Sequence, residues 1–126
     1  WAATRLAAVD EATNRIEMFV HHEDVLRAQP DAAPRELDDA TAKGLWASLS
    51  RMAGMLMRRS PVGIVLVADG VGRAVVKAPQ PAGNVVVRGQ VADLVLYCYG
   101  RKSAAHVELK GSDETVAALA ATRFGV

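Results

Sequence analysis

From Val9 to about Ala28 the chain carries neither Gly nor Pro. Within that run Val9, Ala12, Ile16, Phe19, Val20 and Leu26 recur on one side at helical spacing. A first long helix is expected there. Pro30 and Pro34, with Asp31 between them, end it and form a connector. A second helix is expected from Asp38 or Asp39, whose carboxylates suit an N-cap or a first turn, to about Arg59. Leu45, Leu49, Met52 and Leu56 give its apolar stripe. Ser60-Pro61 closes it, because proline disfavours helix in the residue before it.

The period then changes. Ile64 to Val67, the Asp69-Gly70-Val71-Gly72 turn and Arg73 to Lys77 predict a β-hairpin. Pro79, Pro81 and Gly83 mark a loop, and Val85 to Val87 form a third strand ending at Gly89. Val91, Leu94, Val95 and Cys98 return to helical spacing, with Gly100 placed to end that helix. Ala105, Val107 and Leu109 alternate with His106, Glu108 and Lys110, which predicts a strand with one wet face. Ser112 can cap a last helix, with Asp113 and Glu114 in its first turn and Val116 and Leu119 on its buried face. The expected fold class is α+β: a helical segment over residues 1–60, then a small β-β-β-α-β-α unit over residues 61–126.

Polar residues on the first helix are also periodic. Asp10, Asn14, Glu17, His21 and Asp24 form one stripe between apolar edges, which suggests burial, while Glu11, Arg15, His22 and Gln29 take the solvent face. Glu17 and His21, one turn apart, can project onto one metal ion; the same pairing also serves as a plain helix-surface ion pair. His22 points about 100° away and cannot join His21 on one ion from a regular helix. His106 alternates with apolar strand residues and is expected on the exposed face.

Composition narrows the function classes. Hydrophobic residues make up 51% and charged residues 23%, a globular balance that excludes a disordered or collagen-like chain. The net charge of +1 gives no electrostatic reason to expect nucleic acid or a membrane surface as partner. No apolar run approaches the ~20 residues of a membrane span, and no signal segment opens the chain, so a cytoplasmic domain is expected. One cysteine, Cys98, excludes an internal disulfide framework and a multi-cysteine zinc site. Cys98 is expected to be a small apolar helix residue. Trp46, Met52, Met55 and Met57 are expected to pack. The first residue is Trp1 rather than Met, as in a chain processed or cut from something longer.

Glu17-Met18-Phe19-Val20-His21-His22-Glu23-Asp24-Val25, followed by Arg27-Ala28-Gln29-Pro30, resembles the last bundle helix of actinobacterial proteins similar to mycothiol-dependent maleylpyruvate isomerase, in the DinB-like metal-binding group. Pro61-Val62-Gly63-Ile64 and Asp93 to Arg101 resemble the same family's small C-terminal domain, itself similar to sterol carrier proteins. The resemblance covers nearly the whole chain but only the later part of the family's length. It implies a divalent metal, typically zinc, held by Glu17 and His21 together with a His on an earlier helix that has no counterpart here. It implies a thiol cofactor, mycothiol, a small-molecule substrate, and an isomerase or transferase activity that needs no protein cysteine. Arg101 then binds a cofactor or substrate carboxylate; its plainer role is to serve the end of its helix. A non-catalytic small-molecule or lipid binding module is the alternative, as is a structural fragment that pairs through its helices. With Val9, Ile16, Val20, Leu45 and Leu49 expected to lose bundle neighbours, self-association or an upstream helical fragment is expected to cover them.

Overall fold

An unbroken run of helix formers makes α1, Ala2–Arg27. It starts earlier than the apolar spacing predicts, because Ala2, Ala3, Leu6, Ala7 and Ala8 favour helix and nothing among them stops it. The computed structural model describes the backbone of residues 2–28 and 37–124, with side chains from residue 14 onward. The expected Pro30–Pro34 connector and Gln29 lie outside the described residues, as do the side chains of Val9, Asp10, Glu11 and Ala12.

Helix α2, Asp39–Leu56, is capped by Asp38, whose carboxylate accepts the Thr41 N–H at 2.7 Å. That hydrogen bond holds the Asp38 carboxyl below its usual range. The helix stops three residues short of Arg59. Ser60 then ties the turn to the first strand, its hydroxyl donating to the Val62 carbonyl at 2.8 Å.

Strands β1 (Gly63–Ala68), β2 (Gly72–Lys77), β3 (Asn84–Gly89) and β4 (Val107–Lys110) form one sheet in the order β2-β1-β3-β4. β1 runs antiparallel to β2 and parallel to β3, and β3 runs antiparallel to β4. The parallel pair requires the chain leaving β2 to cross back over the start of β1. Gly63 permits that crossing: its N–H donates to the Gly83 carbonyl at 3.0 Å, and a Cβ there would come within 2.9 Å of Pro79 Cα. Alternation buries Ile64, Leu66, Ala68, Val85 and Val87 on one face.

Helix α3, Val91–Cys98, lies on that face with α2 and α1 packed over it, so every residue from Val91 to Tyr99 is buried. Helix α4, Asp113–Ala120, is capped by the Ser112 hydroxyl, which accepts the Thr115 N–H at 3.2 Å. Lys102 closes its other end by donating to the carbonyls of Leu119 at 2.9 Å and Ala120 at 3.1 Å.

A single hydrophobic core runs from Ile16 on α1 to Phe124. Ile16, Val20, Leu45 and Leu49 are all buried within the chain, against the expectation that they lie uncovered. They pack on each other and on α3, so the need for an outside partner does not arise from them. The large apolar side chains exposed among the described residues are instead Met18, Val25, Met55 and Val75. No described helix is long and apolar enough to cross a membrane.

A buried polar node fixes α1 against α3. Glu23 is 1% exposed and accepts from Arg27 Nε at 3.0 Å. Arg27 Nη1 also donates to Asp93 Oδ1 at 3.2 Å and to the Ala104 carbonyl at 2.7 Å. Burial works against the Arg27 charge, but the hydrogen bonds and charges of Glu23 and Asp93 outweigh it and raise its pKa. Asp93 also accepts the His106 N–H at 3.1 Å. These side chains take backbone groups that would otherwise join the ladder, so β4 begins at Val107 rather than Ala105, after a short 3-10 turn over Lys102–Ala104.

Candidate functional site

Helix α1 lies on the body through Ile16, Phe19, Val20 and Glu23, all buried. Glu17 and His21 sit beside that face and are exposed, at the rim where α1 meets the end of α3. The stripe expected to be buried is therefore a flank: Asn14, Glu17 and His21 are exposed and Asp24 is half-buried. Among the described residues of α1 the buried carboxylate is Glu23, which the stripe did not include. Its signal was in the sequence: it falls seven residues after Ile16 and four after Phe19, with Arg27 four further on. A charge on the apolar face with an opposite charge one turn away marks a paired buried group.

The end of α3 supplies the other wall. Gly100, at φ 86°, takes the left-handed conformation, and the N–H groups of Gly100 and Arg101 donate to the carbonyls of Tyr97 at 3.0 Å and Leu96 at 2.9 Å. That turn sends Arg101 back toward α1. Its Nη1 donates to the Tyr99 carbonyl at 2.8 Å, and its Nη2 lies 3.2 Å from Asp24 Oδ2. Arg101 thus serves its helix end and reaches α1 with the same side chain.

Glu17, Val20, His21, Tyr99 and Arg101 line one cleft of about 240 Å³. All three residues nominated from the sequence, Glu17, His21 and Arg101, meet there. Tyr99 belongs to the Asp93–Arg101 segment, and the sequence assigns it no role of its own. Burial raises the pKa of its phenol, and the Glu17 charge adds to the shift. The Tyr99 hydroxyl has no hydrogen-bond partner among the described residues.

The donor set suits a divalent ion in kind, since imidazole nitrogen and carboxylate oxygen are both zinc ligands. No group of three His, Cys, Asp or Glu side chains able to hold a metal occurs among the described residues. A metal at Glu17 and His21 would keep open positions for a ligand or water. His22 opens instead onto a separate groove of about 580 Å³ between α1 and α2, with Met18, Phe19 and Leu45. The two adjacent histidines thus serve different surfaces, as their angular separation predicts.

The remaining candidates resolve into structure. Cys98 is buried against Met57, 3.4 Å between the sulfurs, and burial pushes its thiol up to about 12, so it is no nucleophile. His106 is exposed beside a polar cleft of about 590 Å³ that also includes Asp69, Arg88 and Glu108. Met52 and Met57 pack in the core, whereas Met55 is exposed; Trp46 is half-buried over Gly72. No family model, curated protein or solved structure matches the chain.

Proposed function

We propose that this chain is part of a metal-dependent, mycothiol-linked isomerase or transferase of the maleylpyruvate isomerase type. In this reading α1 and α2 correspond to the later helices of a DinB-like bundle, and the sheet with α3 and α4 to a domain similar to sterol carrier proteins. Its compartment is the cytoplasm, where a small thiol is kept reduced. The observation that carries the reading is the convergence of Glu17 and His21, from one half of the chain, with Arg101, from the other, around one cleft.

A divalent metal such as zinc, bound there, would stabilise a cofactor thiolate at neutral pH. Glu17 and His21 would hold it. Arg101 has N–H groups beyond the two given to Tyr99 and Asp24, and these can engage a carboxylate of cofactor or substrate. Val20 and Tyr99 complete the lining. The alternative of an enclosed lipid gains no support from the core, where Ile64, Leu66, Val85, Val87, Leu94 and Leu96 fill the space between sheet and α3.

The test uses cobalt(II) in place of zinc, because its absorption spectrum reports ligation. Adding mycothiol to the cobalt-loaded chain should produce a sulfur-to-cobalt charge-transfer band, and His21→Ala should lack it. A cobalt spectrum indifferent to the thiol would refute the reading.

A further inference from the structure

The groove of about 580 Å³ between α1 and α2 has an apolar floor and a cationic rim. Phe19 and Leu45 form the floor, 8% and 4% exposed, and Met18, 74% exposed, forms a wall. From Arg15 to His22 it follows two turns of α1, about 10 Å. Gly44 leaves the α2 side open. It lies inside the helix, where glycine is the weakest former after proline. Packing does not demand a glycine there, since a Cβ would meet nothing nearer than Arg15 Nη1 at 4.0 Å. The residue therefore costs helix stability and gives space in return.

Charge and size narrow the occupant. No acidic side chain lines the groove among the described residues, and Arg15 does line it. The one hydrogen bond of Arg15 among the described residues, to the Ser48 hydroxyl, is long at 3.5 Å, which leaves guanidinium N–H groups for an anion. A protein partner needs an interface of about 800 Å² a side, and the groove offers it one exposed large apolar side chain, Met18. A small molecule needs a pocket of about 300–1,000 Å³ with an apolar lining and a few polar groups, which this is. The Phe19 ring and the Met18 thioether both favour an aromatic body. We infer that this groove binds a small aromatic carboxylate, its rings against Met18, Phe19 and Leu45 and its carboxylate on Arg15. The inference is independent of the proposed function, whose metal and thiol belong to the cleft of Glu17 and His21.

The test titrates naphthalene-2-carboxylate, and its neutral carboxamide, into the chain labelled with carbon-13 at the methionine methyls. Of the four methionines only Met18 lines the groove; Met52 and Met57 are in the core and Met55 is exposed elsewhere on α2. The Met18 resonance should move saturably with the carboxylate, and the other three should stay. Arg15→Gln should bind the carboxylate about tenfold less tightly, the loss expected for a hydrogen bond between charged groups, and the carboxamide as the wild type does. Gly44→Leu places a side chain in the groove and a better helix former in α2. It should unfold at the same or a higher temperature and bind neither compound. A stationary Met18 resonance, unchanged carboxylate affinity in Arg15→Gln, or full binding by a folded Gly44→Leu would each overturn the inference. So would a groove already filled, either by residues 29–36, seen as nuclear Overhauser contacts to the Met18 methyl, or by a second copy, seen as a doubled mass in light scattering.

Discussion

Arg101 Nη2 lies 3.2 Å from Asp24 Oδ2, joining the end of α3 to α1 across 77 residues of sequence. Both side chains are substantially exposed, at 45% and 37%. The pair therefore orients Arg101 toward the cleft more than it stabilises the fold. The stabilising bridge between the same two helices is the buried one, from Glu23 through Arg27 to Asp93.

This contrast predicts two different mutational outcomes. Asp24→Asn should change the unfolding free energy by less than about 1 kcal/mol, the scale of an exposed ion pair. Arg27→Ala should cost about 3 kcal/mol, because it takes the cation from the buried Glu23 and Asp93. Urea denaturation of both variants decides the point. Equal losses would mean the anchor between α1 and α3 has been misassigned.

A second prediction concerns the turn that aims Arg101. Gly100→Ala must hold an L side chain at φ 86°, with its Cβ placed 2.7 Å from the Phe124 carbonyl oxygen. The left-handed conformation alone costs about 1–2 kcal/mol, and the backbone contact adds to it. A drop in unfolding free energy of about 2 kcal/mol or more is expected by urea denaturation. Gly70→Ala, at φ 72° with open space around it, should lose only the conformational part.

The Cys98 thiol makes stability sensitive to alkali. Its folded pKa of about 12 lies above its ordinary value, so the folded state keeps a proton that the unfolded state releases. The contribution is full below the ordinary thiol range and is lost as pH rises through about 12. Tyr97, also raised to about 12 by burial, acts in the same direction from a higher starting point. Unfolding free energy should thus fall from about pH 9 upward, by up to about 1.4 kcal/mol per pH unit for the thiol. Cys98→Ala should have a flatter slope between pH 9 and 10; an unchanged slope there would contradict the burial argument.

Local patterns made most elements legible. The Asp69-Gly70 turn, the Gly100 stop and the Ser112 cap act within a few residues, and each of the flanking elements formed where the sequence predicts. The misread features depend on distant partners. Whether Glu17 or Glu23 is buried is decided by which side of α1 meets the body, and Arg27 bonding to Asp93, 66 positions away, is part of what fixes that side. Likewise the expected first residues of β4 left the ladder where Asp93, on α3, accepts the His106 N–H. Arg101 was legible from its place after a helix-ending glycine. Tyr99 was not, since an aromatic residue at a helix end is ordinarily packing, and only the meeting of α1 with the end of α3 places it at the cleft.

Zinc titration by calorimetry on four proteins tests the central claim most directly: the wild-type chain, Glu17→Ala, His21→Ala and His22→Ala. Glu17 and His21 face one cleft and His22 another. The wild-type chain should bind one zinc, weakly for a protein site because its described ligands number fewer than the usual three. Glu17→Ala and His21→Ala should abolish that binding, and His22→Ala should match the wild type. A wild-type chain that binds no zinc, or a loss in His22→Ala as large as in His21→Ala, would contradict the assignment.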